Sequence, residues 1–92
     1  MLEKIKIALR ISHDQLDSVI NDAISEARAE LIRSGVSEEM ANSSDPLVSA
    51  AIRTYCLWQF TEDSGKYEQY HNAFLMQQDS LRRSNEYNGK GE

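Results

Sequence analysis

The segment Asp45 to Phe60, DPLVSAAIRTYCLWQF, constrains the fold more than any other part of the chain, because after Asp45 it carries a single charge, Arg53, before Thr61. A helix that apolar must be covered on nearly all sides. Asp45 can accept a hydrogen bond from an orphan N–H of the first turn, and Pro46 at the first helical position loses nothing by lacking its own N–H. At about 100° per residue, Leu47, Ala51, Tyr55 and Trp58 share one face, while Ile52, Cys56, Leu57 and Phe60 spread round most of the rest. Only a strip through Ser49 and Arg53 is left for water. In a chain of 92 residues, such a helix is either wrapped by other helices or completes its burial against a neighbouring subunit.

A chain of this length has room for one core, with an expected stability of about 5 to 14 kcal/mol. The net charge of −5 and a pI near 5.0 argue against a surface that grips nucleic-acid phosphates, since that binding rests on clustered Lys and Arg. An acidic lining past which DNA slides remains compatible. Cys56, the single cysteine, lies in the apolar helix, where a buried inert thiol is the ordinary outcome, and a reducing compartment is expected. The opening MLEKIKIALR has charges too closely spaced for a signal peptide, and no run approaches the ~18 apolar residues of a membrane span. The expectation is a soluble, unexported protein without membrane contact.

Leu2, Ile5 and Leu9 fit a short amphipathic helix, yet Ile5, Ile7, Leu9 and Ile11 also alternate as a strand would. Helix is preferred because no second strand-like run exists to pair with. Ser12 and Gln15 have capping-box spacing, with Ile11 and Leu16 as a hydrophobic staple. Leu16, Val19, Ile20, Ala23, Ile24, Ala27 and Leu31 then share one helical face up to Gly35, a C-terminal stop. Val36 to Ser44 reads as a loop with room for one turn at Ser37 to Glu39. After TEDSGK (61 to 66), Tyr67, Tyr70, Phe74 and Leu81 recur on one face of a last helix. The spacing thus predicts an all-α fold of four helices near 2 to 10, 13 to 34, 46 to 61 and 66 to 84, with Leu16, Ile20, Ile24, Ala51, Tyr55, Trp58 and Phe74 in the core. Residues 1 to 84 form one domain, and 85 to 92 read as a flexible tail.

No catalytic or cofactor signature appears. His13 and His71 lack partners at metal-ligand spacing and read as solvated surface residues, with His13 in the first turn of the second helix. No serine sits in a G-x-S-x-G turn and no glycine-rich phosphate loop exists. The chain is expected not to be an enzyme and to need no cofactor or metal. Asp22, Glu26 and Glu30 stand four apart, a carboxylate ladder along one edge of the second helix. It is either a solvated face or an electronegative stripe that meets basic groups on a neighbour or repels DNA. Arg53, with no carboxylate three or four residues away, either snorkels to the core edge or forms an interface ion pair. Met76 is a stray exposed residue or a partner contact. Arg82 and Arg83 suit a helix C-terminus. Tyr87, in a polar, glycine-containing segment, suits an anchor that orders on binding.

The order of LEKIKIALRISHDQLDSVINDAISEARAELIRSGV, then DPLVSAAIRTYCLWQF and the closing DSLRRSNEY, resembles the small head-tail connector (adaptor) proteins of tailed bacteriophages, also known as gp6-like or DNA-packaging proteins. The resemblance covers most of the chain and rests on order and spacing, not on an invariant residue. It implies an all-helical subunit of a homo-oligomeric ring under the portal, located in the virion neck and assembled in the host cytoplasm. Its partners would be further copies of itself, the portal protein and a stopper or tail-completion protein, with DNA passing through unread. Asp22, Glu26, Glu30, Arg53, Met76, Arg82, Arg83 and Tyr87 would then be contact residues. Two other classes fit the composition: a helix-turn-helix DNA-binding module such as a small terminase, whose recognition helix would here be acidic, and a stand-alone helical regulator.

Overall fold

A computed structural model describes residues 1 to 89 of the chain. Among the described residues there are six helices and no strand: α1 (Leu2–Leu9), α2 (Asp17–Ser34), α3 (Glu38–Ala41), α4 (Pro46–Phe60), α5 (Ser64–Arg83) and α6 (Asn85–Asn88). The all-α expectation holds, with two short helices beyond the four predicted. The apolar helix α4 is central, packing against α5, α2 and α1. Val48, Ala51, Ile52, Tyr55 and Cys56 supply its buried face.

Helix, not strand, is the state of the first segment. Ile5 is fully buried while Ile7, two residues on, is 75% exposed, a split that a helix produces and a strand would not. α1 stops at Arg10, whose φ of 60° is left-handed without a glycine. The Arg10 N–H donates to the Ile7 carbonyl at 3.1 Å and the Ile11 N–H to Lys6 at 2.9 Å, the paired bonds of a Schellman stop. Gly35 ends α2 with the same pair of bonds, to Ile32 and Leu31, at a φ of 123° where a side chain would be strained.

The capping box expected at Ser12 and Gln15 is not formed. α2 begins at Asp17, and residue Leu16 before it offers no capping side chain. The cause lies in α1. The ammonium of Lys6, a residue only 6% exposed, sits 2.8 Å from Asp14 Oδ1 and 2.9 Å from Asp17 Oδ1. That bridge gathers residues 12 to 16 into turns and leaves His13 outside the helix, its Nδ1 accepting from the Gln15 N–H at 3.2 Å. The hydrogen bond to Lys6 holds the Asp14 carboxyl below the usual carboxylate range, and the two carboxylates hold the Lys6 ammonium protonated well beyond the ordinary lysine range.

The remaining starts follow capping chemistry. Ser37 Oγ accepts from the Met40 N–H at 3.2 Å and sets α3. Asp45 Oδ2 accepts from Leu47 and Val48 at 2.9 and 3.3 Å ahead of Pro46, as predicted. Asp63 Oδ1 accepts from Gly65 and Lys66 at 2.9 and 3.1 Å, starting α5 two residues earlier than the expected 66. Arg28 of α2 donates to the carbonyls of Ala41 and Ser43 at 2.7 and 3.2 Å, tying down the connection into α4 by satisfying orphan helix-end acceptors.

Five of the seven predicted core residues are buried. Leu16 and Trp58 instead pack on the core from its rim. Trp58 sits among aromatics, edge-on to Tyr55 and Tyr67 with ring centroids 5.3 and 5.9 Å away. His71 is not a free surface residue: it is half-buried against the indole of Trp58, centroid to centroid 4.4 Å. Leu47, assigned by periodicity to the inward face of α4, is 59% exposed.

The predicted tail is folded back as far as it is described. Asn85–Asn88 forms α6, and Tyr87 is only 7% exposed. Its hydroxyl donates to Asp45 Oδ2 at 2.9 Å, and its carbonyl accepts from the Ser37 N–H at 2.8 Å. The reading of Tyr87 as an unpacked anchor is thereby corrected: its packing partners lie about 40 to 50 residues back in the chain, where a local reading cannot find them. The part of the tail expectation that falls on 90 to 92 lies outside the described residues.

Candidate functional site

The residues singled out in the sequence do not converge on one reactive centre. Among the described residues no group of three His, Cys, Asp or Glu side chains is arranged to hold a metal ion. The thiol of Cys56 is fully buried, and that burial, with Glu26 adding repulsion, pushes its pKa up to about 12. It is a protonated core group, not a nucleophile. Among the described residues the surface includes three clefts between helices.

The first is an apolar groove of about 240 Å³ between the start of α4 and the second half of α5, lined by Leu47, Ala50, Met76, Gln77, Ser80 and Leu81. Met76 is 73% exposed on its edge. Gln77 Oε1 is buried without a hydrogen-bond partner. The second cleft, about 320 Å³, lies between α1 and the first half of α4. It carries Lys4 and Arg53, with Ile5, Pro46 and Ser49 among its walls. No carboxylate lines it. The third, about 290 Å³, lies between the first half of α2 and the end of α4, lined by Val19, Asp22, Ala23, Glu26, Gln59 and Phe60. No cation lines it.

The carboxylate ladder divides. Glu30 is held by Arg33, with Nη2 to Oε1 at 2.6 Å and Nε to Oε2 at 3.4 Å, an i,i+3 pair that neutralises it within its own helix. Glu26 accepts from the Tyr55 hydroxyl at 3.3 Å. Burial first, then the charge of Glu26, pushes that phenol up to about 12. Asp22 and Glu26 have no cationic partner among the described residues, so the uncompensated edge is two carboxylates long.

Arg82 and Arg83 both pair with Asp79, Arg83 Nε lying 3.1 Å from Oδ2. Partial burial tends to raise the Asp79 carboxyl, but Arg82 and then Arg83 outweigh it and hold it below the usual range. Asp79 thus offsets one of the two arginine charges on its own helix and leaves one positive charge at the end of α5. Tyr87 is committed to Asp45 and Ser37. Of the predicted contact residues, Asp22, Glu26, Arg53 and Met76 remain available, each in a different cleft except the first two. Lys4, Val19 and Phe60 belong with them and were not singled out from the sequence. Val19 and Phe60 carried core-type periodicity there, and Lys4 had no signal beyond its charge.

Among the described residues no helix is long and apolar enough to cross a membrane. No protein-family model, curated protein or solved structure matches this chain.

Proposed function

We propose that this chain is a structural virion protein: a head-tail connector subunit that joins a homo-oligomeric ring beneath the portal and extends the DNA channel during head completion and tail joining. The reading rests on the connector-like order of the sequence and on one structural observation. The subunit carries two unlike, uncompensated surfaces. One lies on the first half of α4, where Lys4 and Arg53 share a cleft without a carboxylate and, in a separate groove, Leu47 and Met76 are exposed. The other lies at the far end of α4, where Asp22 and Glu26 flank Val19 and Phe60. Leu47 and Phe60 are about 20 Å apart along the helix axis. Unlike surfaces on one subunit favour a heterologous contact, the kind that generates rings.

On this reading the neighbours are copies of the chain, the portal protein on one side and a stopper or tail-completion protein on the other. Acidic surface lets DNA pass without capture. The protein acts by position, in the virion neck after assembly in the host cytoplasm, and not by catalysis. Native mass measurement with the portal protein of the same phage, beside a titration with duplex DNA at low salt, tests this. Multimers seated on the portal and weak DNA affinity are expected. Tight DNA binding would instead favour the small-terminase-like alternative, and a monomer indifferent to portal would refute the connector reading.

A further inference from the structure

Resting on the connector reading, we infer that the Lys4/Arg53 cleft of one copy receives the Asp22/Glu26 edge of α2 from the next copy, and that this head-to-tail contact is the repeating interface of the assembly.

Two clefts of opposite charge point to these four residues. Other charges are paired within the subunit, Lys6 with Asp14 and Asp17, Arg33 with Glu30, Arg82 and Arg83 with Asp79, or stand outside the three clefts, as Arg10, Lys66 and Glu68 do. Arg28 is spent on the carbonyls of Ala41 and Ser43. Lys4 and Arg53, from two different helices, share a concave site that holds no carboxylate. Asp22 and Glu26, one turn apart, share a site that holds no cation. The charged side chains facing one cleft are cationic and those facing the other are anionic, so the two sites match in sign.

Apolar surface agrees with charge. Exposed Val19 stands beside Asp22 and Glu26 on α2, and Pro46 stands beside Lys4 and Arg53. Isolated exposed ion pairs contribute little because water screens them. Pairs bordered by apolar side chains on both partners lose that screening on contact, and so gain in strength and in partner selectivity. Met1 and Pro46 border the cation side and Val19 and Phe60 the anion side, supplying such a border. The two sites are lined by different residues of the same subunit and so cannot satisfy one another within it. A copy that offers its anion edge while keeping its own cation cleft open propagates, closing into a ring or extending as a filament.

A charge-swap experiment on the full chain tests the interface. Lys4→Glu/Arg53→Glu makes both sites acidic, and Asp22→Lys/Glu26→Lys makes both basic; all four positions are exposed, and circular dichroism checks that each variant keeps its helix content. By native mass and sedimentation, the unaltered protein should self-associate, more weakly as salt rises. Each double variant alone should associate about 100-fold more weakly. Mixed in equal amounts they should assemble again, because every contact in an alternating assembly then joins opposite charges. Variants that associate as well as the parent, a mixture that stays apart, or a parent monomeric at every concentration would each overturn the inference. Portal binding by the parent, measured in parallel, separates the outcomes: portal binding retained with the swap failing leaves the connector reading standing and this interface wrong.

Discussion

Truncating Tyr87 to alanine should strongly destabilise the isolated subunit. The residue is 93% removed from solvent and its hydroxyl donates to Asp45 Oδ2. Removing a buried aromatic from a core leaves a cavity whose cost, in a domain of this size, corresponds to a fall in melting temperature of about 12 to 30 °C. The underlying loss, about 3 to 5 kcal/mol, is a fifth or more of the about 5 to 14 kcal/mol expected of a domain this size. Tyr87→Phe keeps the ring and loses only the hydroxyl's bond to a carboxylate, so about 4 to 10 °C is expected. Thermal unfolding followed by circular dichroism, with urea melts as a check, measures both. A drop within 2 °C for Tyr87→Ala would show that α6 does not dock, and would restore the free-tail reading that the sequence suggested.

Two further outcomes concern pH. Cys56 has its pKa raised from an ordinary value near 9 to about 12 by burial and by Glu26. A raised pKa means stability that is whole below pH 9 and lost as pH rises toward 12, here about 2 to 4 kcal/mol. Cys56→Ala should move the onset of alkaline loss upward toward pH 10, where the tyrosines begin to contribute; an unchanged onset would place the thiol in contact with water. On the acid side, Asp14 is depressed by its bond to Lys6. Its contribution is present above the ordinary aspartate range and lost as pH falls through the depressed value. Lys6→Met should therefore be less stable than the parent in urea at pH 7, with the gap closing as pH falls below the ordinary aspartate range. A gap independent of pH would mean that Lys6 acts through packing alone.

How much was legible follows the range of the interactions. α2, α4 and α5 were readable because their signals are periodic or adjacent: apolar residues every three or four positions, Gly35 at one end, Asp45 and Pro46 at another. The bridge from Lys6 to Asp14 and Asp17 spans 8 and 11 residues across a chain reversal, and nothing local marks a lysine for burial. It displaced a capping box whose sequence was correct, a case of tertiary pairing overriding a terminal preference. Tyr87 and Asp45 are 42 apart and were equally invisible. The Glu30 and Arg33 pair was different. Its i,i+3 spacing stands in the sequence, so the acidic ladder could have been shortened to Asp22 and Glu26 without a structure.

The docking of α6 also bears on the surface proposed for assembly. Asp45 Oδ2 accepts from the Leu47 and Val48 N–H groups and from the Tyr87 hydroxyl. One oxygen therefore joins the start of α4 to the C-terminal helix. The turn so fixed carries Ser44 and Pro46, which form the cleft wall with Ser49 and Arg53, about one and two helical turns beyond Pro46. The chain leaves α6 through Gly89 at a φ of 74°, where a Cβ would come within 3.0 Å of Ser37 Cβ; only glycine passes there without strain. Tyr87 is thus spent inside the subunit and is not available as an anchor for a portal. In the proposed interface its contribution would be indirect: it holds the wall of the cleft proposed to receive the neighbour, and a rigid wall spares a contact the entropy of ordering it at the moment of binding.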